Sequence, residues 1–386
     1  MDFSFSEEEQ LIRETTREFL KRYLEPVADS IDTNEKIPES FLMAAGSHGI
    51  ISPLIETPYG GARLSFMDAA IISEEIAKVD TSMATSVYYL LNTSWAYILQ
   101  KYGNKFIKSK ILPDIAIGKK FIGIASTEAS GGSDVAAIKT SGEIRNGKII
   151  INGEKAYISG GIEAKNNGGG HLTLVKTDKN GGHKGISMVY VPADSPGIEM
   201  YKINNMGRMG ISTCIIRYNN VEIPEENIIG KVNKGFYYAM DGFNHARILV
   251  AAACNGLSDS ILERGLNYIK ERSAFGKKLE EFQGVSFKFS ELKTELEMSK
   301  LLTYKAAYLA DIDSNDLYIY SAMSKFKAPQ IALDIVKNVM MWFGAYSYSR
   351  EAGLEKSARG IFSYLVGAEG ALNIMNLIIS KAFMGL

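Results

Sequence analysis

The hydrophobic pattern changes twice along the chain, and this change limits the possible folds more than any other feature of the sequence. Apolar residues recur at helical spacing in the first part, for example over Leu11–Leu24. Short β-rich runs separated by turns follow, and long helical patterns return later. The sequence therefore predicts an α+β multidomain fold: a helical domain over residues 1–120, a middle domain of antiparallel strands over 121–228 and a C-terminal four-helix bundle over 229–386.

Local signals predict where several elements begin or turn. Ser6 followed by Glu9 is a capping-box pattern that marks a helix start. Asn146-Gly147 and Asn152-Gly153 are each a two-residue hairpin signal. The acidic doublets, among them Glu74-Glu75, are interpreted as helix starts and solvated faces.

Composition excludes several classes of protein. Lys and Arg number 43 and Asp and Glu number 44, so nothing indicates a nucleic-acid partner. No apolar run approaches the ~18–20 residues of a membrane span, and the acidic start MDFSFSEEEQ matches neither a signal peptide nor a transit peptide. Two cysteines, Cys214 and Cys254, are expected to be ordinary thiols. A soluble cytoplasmic protein is expected.

Motifs of several common enzyme classes are absent from the sequence. It contains no G-x-x-x-x-G-K-[ST], no strand-linked G-x-G-x-x-G and no G-x-S-x-G, which argues against a P-loop, a Rossmann site and an α/β-hydrolase. Its four histidines are scattered, so no metal site is expected.

Three segments could hold a flat, charged ligand. Thr127–Asp134 is a glycine-containing turn whose backbone N–H groups can bind an anion or a polar ring edge. Tyr157 and Ser159 share a face if the period of two holds in their strand. Arg272 can pair with a diphosphate and Phe275 can stack on a purine. A core tyrosine, a surface arginine and a core phenylalanine are the alternatives.

In this order the segments resemble the acyl-CoA dehydrogenase family over essentially the whole chain. Thr127–Asp134 is similar to the family's T-E-P-x-A-G-S-D, and Ile151–Ile158 to its I-N-G-x-K-x-W-I. Val221–Pro224 is similar to V-x-[IV]-P, and Arg272–Gln283 to R-x-x-F-G followed by Gln. The resemblance implies an FAD-dependent enzyme that desaturates the acyl group of a coenzyme A thioester.

The resemblance also implies roles for individual residues. Thr127 would bind the pyrimidine edge of the flavin, Tyr157 in place of the usual Trp would cover one flavin face, and Ser159 in place of Thr would donate to flavin N5. The remaining FAD contacts and the substrate contacts come from matching positions elsewhere. Those for FAD are Ser133, Arg272, Phe275, Gln283 and Asn373, and those for the substrate are Asn244 and Arg247.

The catalytic base implied by the resemblance is Glu369 in Gly367–Ala371, one residue later than the usual spacing. The alternative family position is Ala246, which cannot act as a base. Apart from the resemblance, Glu369 could be only an acidic residue at a helix N-terminus.

The resemblance implies partners as well. Electrons would pass to an electron-transfer flavoprotein, and Arg272, Phe275 and Gln283 would reach the FAD of a neighbouring subunit in a homo-oligomer, a tetramer of two dimers. Two alternatives remain open on the same fold: an acyl-CoA oxidase or flavin monooxygenase relative that reacts with O₂, and a non-catalytic flavin- or CoA-binding protein. Acyl chain length and pathway stay open, because they depend on the depth of a substrate pocket that is expected to include parts of Tyr88–Trp95 and Asp241–Arg247.

Overall fold

The N-terminal part of the chain is helical, as expected. A computed structural model describes residues 4–385 of the 386. The first helix has the predicted capping box, since Glu9 N donates to Ser6 Oγ at 3.2 Å and Ser6 N donates to Glu9 Oε2 at 2.7 Å. The helices here are α1 (Glu7–Tyr23), α2 (Glu25–Thr33), α3 (Glu39–Ser47), α4 (Phe66–Val79), α5 (Ala84–Tyr102) and α6 (Lys105–Ala116).

The middle part forms one sheet of seven strands, which confirms a β domain between two helical ones. The strands are β1 (Ile122–Ala125), β2 (Ser141–Arg145), β3 (Lys148–Ser159), β4 (Gly170–Lys176), β5 (Ile186–Pro192), β6 (Ile198–Lys202) and β7 (Thr213–Pro224). The short helix α7 (Gly161–Asn166) joins β3 to β4. The sheet order is β1-β4-β2-β3-β7-β6, with β5 on β4.

The sheet differs in one respect from the antiparallel meander that was expected. β1 and β2 both pair with β4 in parallel, while the other pairs in the sheet are antiparallel. Parallel neighbours need long connections. Here β3 and α7 lie between β2 and β4 in the chain, and that separation is not visible in the pattern of any single strand.

The two Asn-Gly signals have different outcomes. Asn146 and Gly147 have φ of +52° and +74° and form the turn between β2 and β3, which confirms the first hairpin. The second prediction is wrong, because Asn152 and Gly153 lie inside β3 at a shift of register with β7. Gly153 has φ of +143°, and a Cβ there would lie 2.7 Å from Cα of Thr140. Glycine is therefore required at this β-bulge, where the backbone of Thr140 packs too closely for a side chain.

The C-terminal part is a bundle of long helices, which confirms the predicted order of α, β and α regions. α10 (Leu317–Phe343) packs against α8 (Gly235–Glu271), α9 (Gln283–Asp311), α11 (Glu355–Val366) and α12 (Leu372–Met384). α8 also packs against α4 and α5, so it is buried between the two helical regions. The two-residue strands β8 (Ser273–Ala274) and β9 (Lys277–Lys278) form a hairpin between α8 and α9. Within residues 4–385, no helix is both long and apolar enough to cross a membrane.

The expectation that Glu74-Glu75 lies on a solvated face is wrong. Their side chains are 1% and 3% exposed, in the middle of α4. Glu75 accepts from Arg17 Nε at 2.8 Å and from Lys78 Nζ at 2.9 Å, and Tyr304 donates to Glu74. Lys78 on the same helix, together with Arg17 of α1 and Tyr304 of α9, makes this burial possible, because a buried carboxylate needs such partners.

Candidate active site

Glu369 lies on a short loop between α11 and α12 whose backbone is held by two cations. Glu369 has φ of +54° and Gly370 has φ of +114°, so both residues lie in the positive-φ region that L-residues with a side chain rarely adopt. Nε of Arg247, on α8, donates to the carbonyl oxygen of Glu369 at 3.1 Å, and Nζ of Lys325, on α10, donates to that of Gly370. Two long helices thus fix the position of this loop.

Glu369 is half-buried, and one oxygen of its carboxylate is fully buried. Its Oε1 has no hydrogen-bond partner in residues 4–385. Burial raises the pKa of Glu369, and the positive charges of Arg247 and Lys325 oppose this rise. α12 begins only at Leu372, so Glu369 is not an acid of its first turn, and that alternative is wrong. A carboxylate with a buried, unpartnered oxygen and a raised pKa can act as a proton acceptor.

The two cations are themselves buried. Burial lowers the pKa of Lys325 to about 8, and the charge of Glu369 opposes this effect. Burial likewise lowers the pKa of Arg247 to about 10, again opposed by Glu369. Both values lie above 7, so both side chains are predominantly protonated at neutral pH.

The helices α5 and α8 meet beside this loop, as the sequence suggested for the pocket segments Tyr88–Trp95 and Asp241–Arg247. The Trp95 ring packs edge-on against Phe243, with ring centroids 5.3 Å apart. Nε1 of Trp95 is buried without a partner in the described part of the chain. Its N–H is among the groups that oppose the burial-raised pKa of Glu369.

A second group of predicted residues meets at the end of β3. Ala156 N donates to the carbonyl oxygen of Thr127 at 3.0 Å, which brings the Thr127 loop to the strand. Tyr157 is 66% exposed, so the core-tyrosine alternative is wrong. Ser159 Oγ accepts from Nη1 of Arg208 at 3.4 Å. Thr127, Tyr157 and Ser159 therefore lie together, with one aromatic side chain open to a ligand.

The reason given for pairing Tyr157 with Ser159 does not hold. The register of β3 with β7 shifts between Lys155 and Ile158, and Tyr157 has φ of +60°. Strict alternation of faces fails across such a bulge. The two residues are neighbours because of the bulge geometry and not because of a period of two.

The loop after Thr127 is fixed by a buried ion pair. Glu128 accepts from Lys139 N at 2.7 Å, from Thr140 N at 2.9 Å and from Lys155 Nζ at 3.0 Å. Burial alone would raise the pKa of Glu128, but Lys155 and the hydrogen bonds hold it below its usual value. Glu128 therefore anchors the loop, while Ser133 lies on its exposed side.

Arg272, Phe275 and Gln283 form a separate, exposed group. Arg272 caps the end of α8, Phe275 lies in the turn of the β8–β9 hairpin and Gln283 begins α9. Phe275 is 98% exposed, so the core-phenylalanine alternative is wrong. Within the described residues, no hydrogen bond or ring contact joins this group to Tyr157 or Ser159 of the same chain.

The last two predicted contacts lie near the Glu369 loop. Asn244 Oδ1 accepts from Nη1 of Arg247 at 2.8 Å, so Asn244 orients the arginine in this chain. Asn373 is exposed in the first turn of α12. Residues 4–385 contain no group of three or more His, Cys, Asp or Glu side chains that could hold a metal ion.

Two residues of the site were missed from the sequence, Arg208 and Lys325, whereas Trp95 ends one of the segments expected to line the pocket. Lys325 had a readable signal, because it lies three residues after Ala322 and three before Ala328 on the buried stripe of α10. A lysine at a core position of an apolar helix destabilises the fold unless its charge is paired, so such a lysine is a candidate functional residue. Arg208 donates to Ser159, but nothing in its neighbourhood in the sequence indicates this contact.

Comparisons with known proteins agree with this geometry. Three family models match the chain: acyl-CoA dehydrogenase N-terminal domain over residues 6–119, middle domain over 123–221 and C-terminal domain over 233–384. The chain is 32% identical to a mitochondrial short/branched chain specific acyl-CoA dehydrogenase of Bos taurus, over 98% of this chain and 86% of that protein. It is 30% identical to a short-chain specific acyl-CoA dehydrogenase of Clostridium acetobutylicum, over 98% of this chain and 99% of that protein.

A solved structure is similar over the whole chain. It comes from work on the electron transferring flavoprotein of Acidaminococcus fermentans and flavin-based electron bifurcation, with 28% identity, a TM-score of 0.94 and full coverage of both chains. The chain belongs to the acyl-CoA dehydrogenase family. It is thus an FAD-dependent oxidoreductase that acts on acyl-CoA, which confirms the family, the enzyme class and the cofactor expected from the sequence.

Proposed function

We propose that the chain catalyses α,β-dehydrogenation of an acyl-CoA thioester to the trans-2-enoyl-CoA, with Glu369 as the base. The observation that carries this proposal is the Glu369 carboxylate, one oxygen of which is buried and unpartnered while the backbone of Glu369 is held by Arg247. A positioned base of this kind is what removal of a weakly acidic α-proton requires.

The residues at the end of β3 fit the flavin. A flat ring with a polar edge needs an open aromatic surface and nearby hydroxyl groups, and the exposed Tyr157 with Thr127 and Ser159 supplies both. Ser133 and Asn373, both exposed, are assigned to the remainder of the cofactor. When bound, FAD accepts a hydride from the β carbon of the substrate.

The protein's own groups control the proton. Glu369 takes the α-hydrogen as a proton, the electron pair of that C–H bond becomes the new C=C bond, and the β-hydrogen leaves as the hydride. Burial raises the pKa of Glu369, and the positive charges of Arg247 and Lys325 oppose that rise, so both cations favour the ionised form of the base. Asn244 holds the guanidinium of Arg247 from the other side.

The acyl group is proposed to be short or branched, and the electron acceptor to be an electron-transfer flavoprotein. The first proposal is supported by the two relatives, whose names specify short or short/branched chains. The second is supported by the similar structure from the electron transferring flavoprotein work.

A homo-oligomer is proposed to complete the cofactor site. Arg272 and Gln283 are exposed and Phe275 is 98% exposed, so this end of the molecule has the surface to bind the ADP half of a neighbouring subunit's FAD. Stacking of a purine on Phe275 and pairing of a diphosphate with Arg272 use the chemistry of those side chains.

The deciding experiment compares Glu369→Gln with Glu351→Gln, a change at an exposed glutamate outside the site. Both proteins are purified with FAD and mixed anaerobically with saturated acyl-CoAs while the flavin absorbance is recorded. Glu369→Gln should keep its FAD and lose flavin reduction by about 10²–10⁴-fold, the range for a general base. Glu351→Gln should react like the unmodified protein.

Other outcomes separate the alternatives. Normal flavin reduction by Glu369→Gln would reject this base. Absence of bleaching in the unmodified protein with every acyl-CoA would favour a binding role. Peroxide formation in air at the rate of turnover, without need of an electron-transfer flavoprotein, would favour an oxidase.

A further inference from the structure

Resting on the proposed function, we infer that Arg208 is a positioning residue for the flavin. It holds the hydroxyl group of Ser159 as a hydrogen-bond donor to the ring, and it places a positive charge beside the ring that favours flavin reduction. The resemblance assigned the flavin contact to Ser159 alone, and no role was expected for Arg208.

The backbone of Arg208 is strained and firmly placed. Arg208 has φ of +57°, which a residue with a long side chain rarely adopts. Gly207 packs on α11, where a Cβ on this glycine would lie 2.5 Å from the carbonyl carbon of Arg359. Gly210 packs on α2, where a Cβ would lie 2.3 Å from Cγ2 of Ile31. Such strain persists only where the surrounding structure imposes it, and it is concentrated at functional positions.

The guanidinium of Arg208 is held by two hydroxyl groups. Its Nη1 donates to Ser159 Oγ at 3.4 Å and its Nη2 donates to Thr213 Oγ1 at 3.1 Å. Ser159 and Thr213 are paired residues of β3 and β7, so both hydroxyl groups lie at the same end of the sheet. Thr213 Oγ1 also accepts from Nδ2 of Asn205 at 2.6 Å, which fixes it from a second side. The guanidinium therefore spans the ends of the two strands.

This contact determines how the Ser159 hydroxyl can be used. A guanidinium can only donate, so Ser159 Oγ is the acceptor and keeps its own proton for another partner. Within residues 4–385, Ser159 Oγ has no other hydrogen-bond partner. The proton is therefore available to the flavin, at the N5 contact that is proposed for Ser159.

The charge of Arg208 is not neutralised by an ion pair. Within the described part of the chain its guanidinium binds only hydroxyl groups, whereas Arg217 on β7 pairs with Glu154 at 2.7 Å. Arg208 is half-buried, and an arginine stays protonated at neutral pH. The flavin ring is neutral when oxidised and gains the negative charge of a hydride when reduced. A fixed cation in a site of low polarity therefore stabilises the reduced ring more than the oxidised one.

The test measures the reduction potential of the bound FAD, which needs no acyl-CoA. The FAD-loaded protein is reduced slowly and anaerobically by xanthine and xanthine oxidase beside a reference dye, and both absorbances are followed. Arg208→Gln removes the charge, and Arg208→Lys keeps it. Arg217→Gln is the matched control, because it removes an arginine that is paired and exposed on β7.

Arg208→Gln should lower the equilibrium constant for flavin reduction by about tenfold or more, as loss of one charged hydrogen bond would. For a two-electron couple, tenfold corresponds to about 30 mV. Arg208→Lys should keep most of the potential, and Arg217→Gln should match the unmodified protein. An unchanged potential in folded, FAD-containing Arg208→Gln protein would overturn the inference, as would an equal decrease in Arg217→Gln.

Arg208→Gly keeps the test intact if Arg208→Gln fails to fold. Glycine adopts φ near +57° without strain, so this change removes the side chain and relieves the backbone together. The potential should fall as in Arg208→Gln. A folded Arg208→Gly protein with the potential of the unmodified protein would show that Arg208 only shapes its loop.

A double-mutant cycle tests the part played by Ser159. The decrease caused by Arg208→Gln should be smaller in a Ser159→Ala protein, because the hydroxyl that the guanidinium orients is then absent. An equal decrease in both backgrounds would overturn the positioning of Ser159 by Arg208.

The same titration separates this inference from the proposed function. If no acyl-CoA reduces the flavin of the unmodified protein while the Arg208 variants still lower the potential, dehydrogenation is rejected and the role of Arg208 stands. If acyl-CoA reduces the flavin and the variants keep the potential, the role of Arg208 is rejected alone.

Discussion

The guanidinium of Arg247 donates through Nε to the carbonyl oxygen of Glu369 at 3.1 Å. The same group donates through Nη1 to Asn244 Oδ1 at 2.8 Å, so it bridges the base loop and the neighbouring turn of α8. A lysine ammonium cannot reproduce two bonds in this fixed fork geometry. Replacement of Arg247 by lysine should therefore disturb the position of the base loop.

Arg247→Lys should reduce kcat/KM by about 10–100-fold, because a hydrogen bond from a charged donor contributes about 1.5–3 kcal/mol. FAD content should stay unchanged. The control is Arg264→Lys on the same helix, since Arg264 also donates to a backbone carbonyl, that of Ala352, at 2.6 Å. Steady-state kinetics of both proteins check the prediction, and equal losses in the two would show that Arg247 acts only on packing.

Lys325→Met should move the acid limb of flavin reduction to higher pH. Glu369 must be ionised to accept a proton, and removal of a neighbouring cation raises its pKa further above the usual value. Rates of anaerobic reduction across pH 5–9 measure the shift. Lys327→Met is the control, because Lys327 is exposed on the same helix. A limb that stays in place, or moves to lower pH, would contradict the assigned role of Lys325.

His171 should make the fold sensitive to acid. Burial lowers its pKa to about 4, and Nε2 contacts the carbonyl oxygen of Ser159 at 3.1 Å. The folded state therefore favours neutral His171. The contribution of His171 to the free energy of unfolding is fully present above about pH 6.5 and is lost as the pH falls toward 4. The loss from this group is about 3 kcal/mol for a shift of this size.

Urea unfolding at several pH values between 4 and 7.5 measures this effect. His171→Gln should unfold with a smaller dependence on pH across that interval, whatever its stability at pH 7.5. His183→Gln serves as the control, since His183 is exposed. The same acid dependence in His171→Gln as in the unmodified protein would assign the effect to other groups.

Phe275→Ala should leave the stability of the subunit unchanged, because the side chain is 98% exposed. It should weaken FAD retention by about tenfold or more if a neighbouring subunit buries that ring, since burial of a phenylalanine contributes about 1.5–3 kcal/mol. FAD content after gel filtration and the sedimentation coefficient check both parts. Phe106→Ala, at a ring 50% exposed on α6, is the control. Retention equal to that of the control would argue against a shared cofactor site.

The order of helical and β regions could be predicted because it rests on local periodicity. The base segment and the three groups of candidate residues could be placed because a resemblance supplied them. The two Asn-Gly pairs show where prediction from local sequence fails. Asn146-Gly147 forms the expected turn, whereas Asn152-Gly153 lies inside β3 against Thr140, which is twelve or more positions away in the chain. The Asn-Gly pair gives a local preference for a hairpin turn, and tertiary contacts determine whether that turn forms.

Charges in the interior were the other limit. Glu74 and Glu75 were placed on the surface by type, whereas Arg17 and Lys78 from other turns and helices make their burial possible. The burial of Lys325 could be read from its position on α10, but its partner could not, because the carbonyl oxygen of Gly370 lies 45 positions away in the chain. Hydrogen bonds between distant segments leave no local pattern in the sequence.

The exposed position of Phe275, remote from Glu369 in its own chain, has a genetic consequence. If the ring binds the FAD of a neighbouring subunit, Phe275→Ala impairs the active site of that neighbour. Glu369→Gln instead inactivates the active site of the subunit that carries it. Co-expression of the two defective chains would then assemble mixed oligomers in which one site carries both changes and the other carries neither. Such complementation would give mixed oligomers more activity than either parent, with an upper limit set by the statistics of subunit pairing.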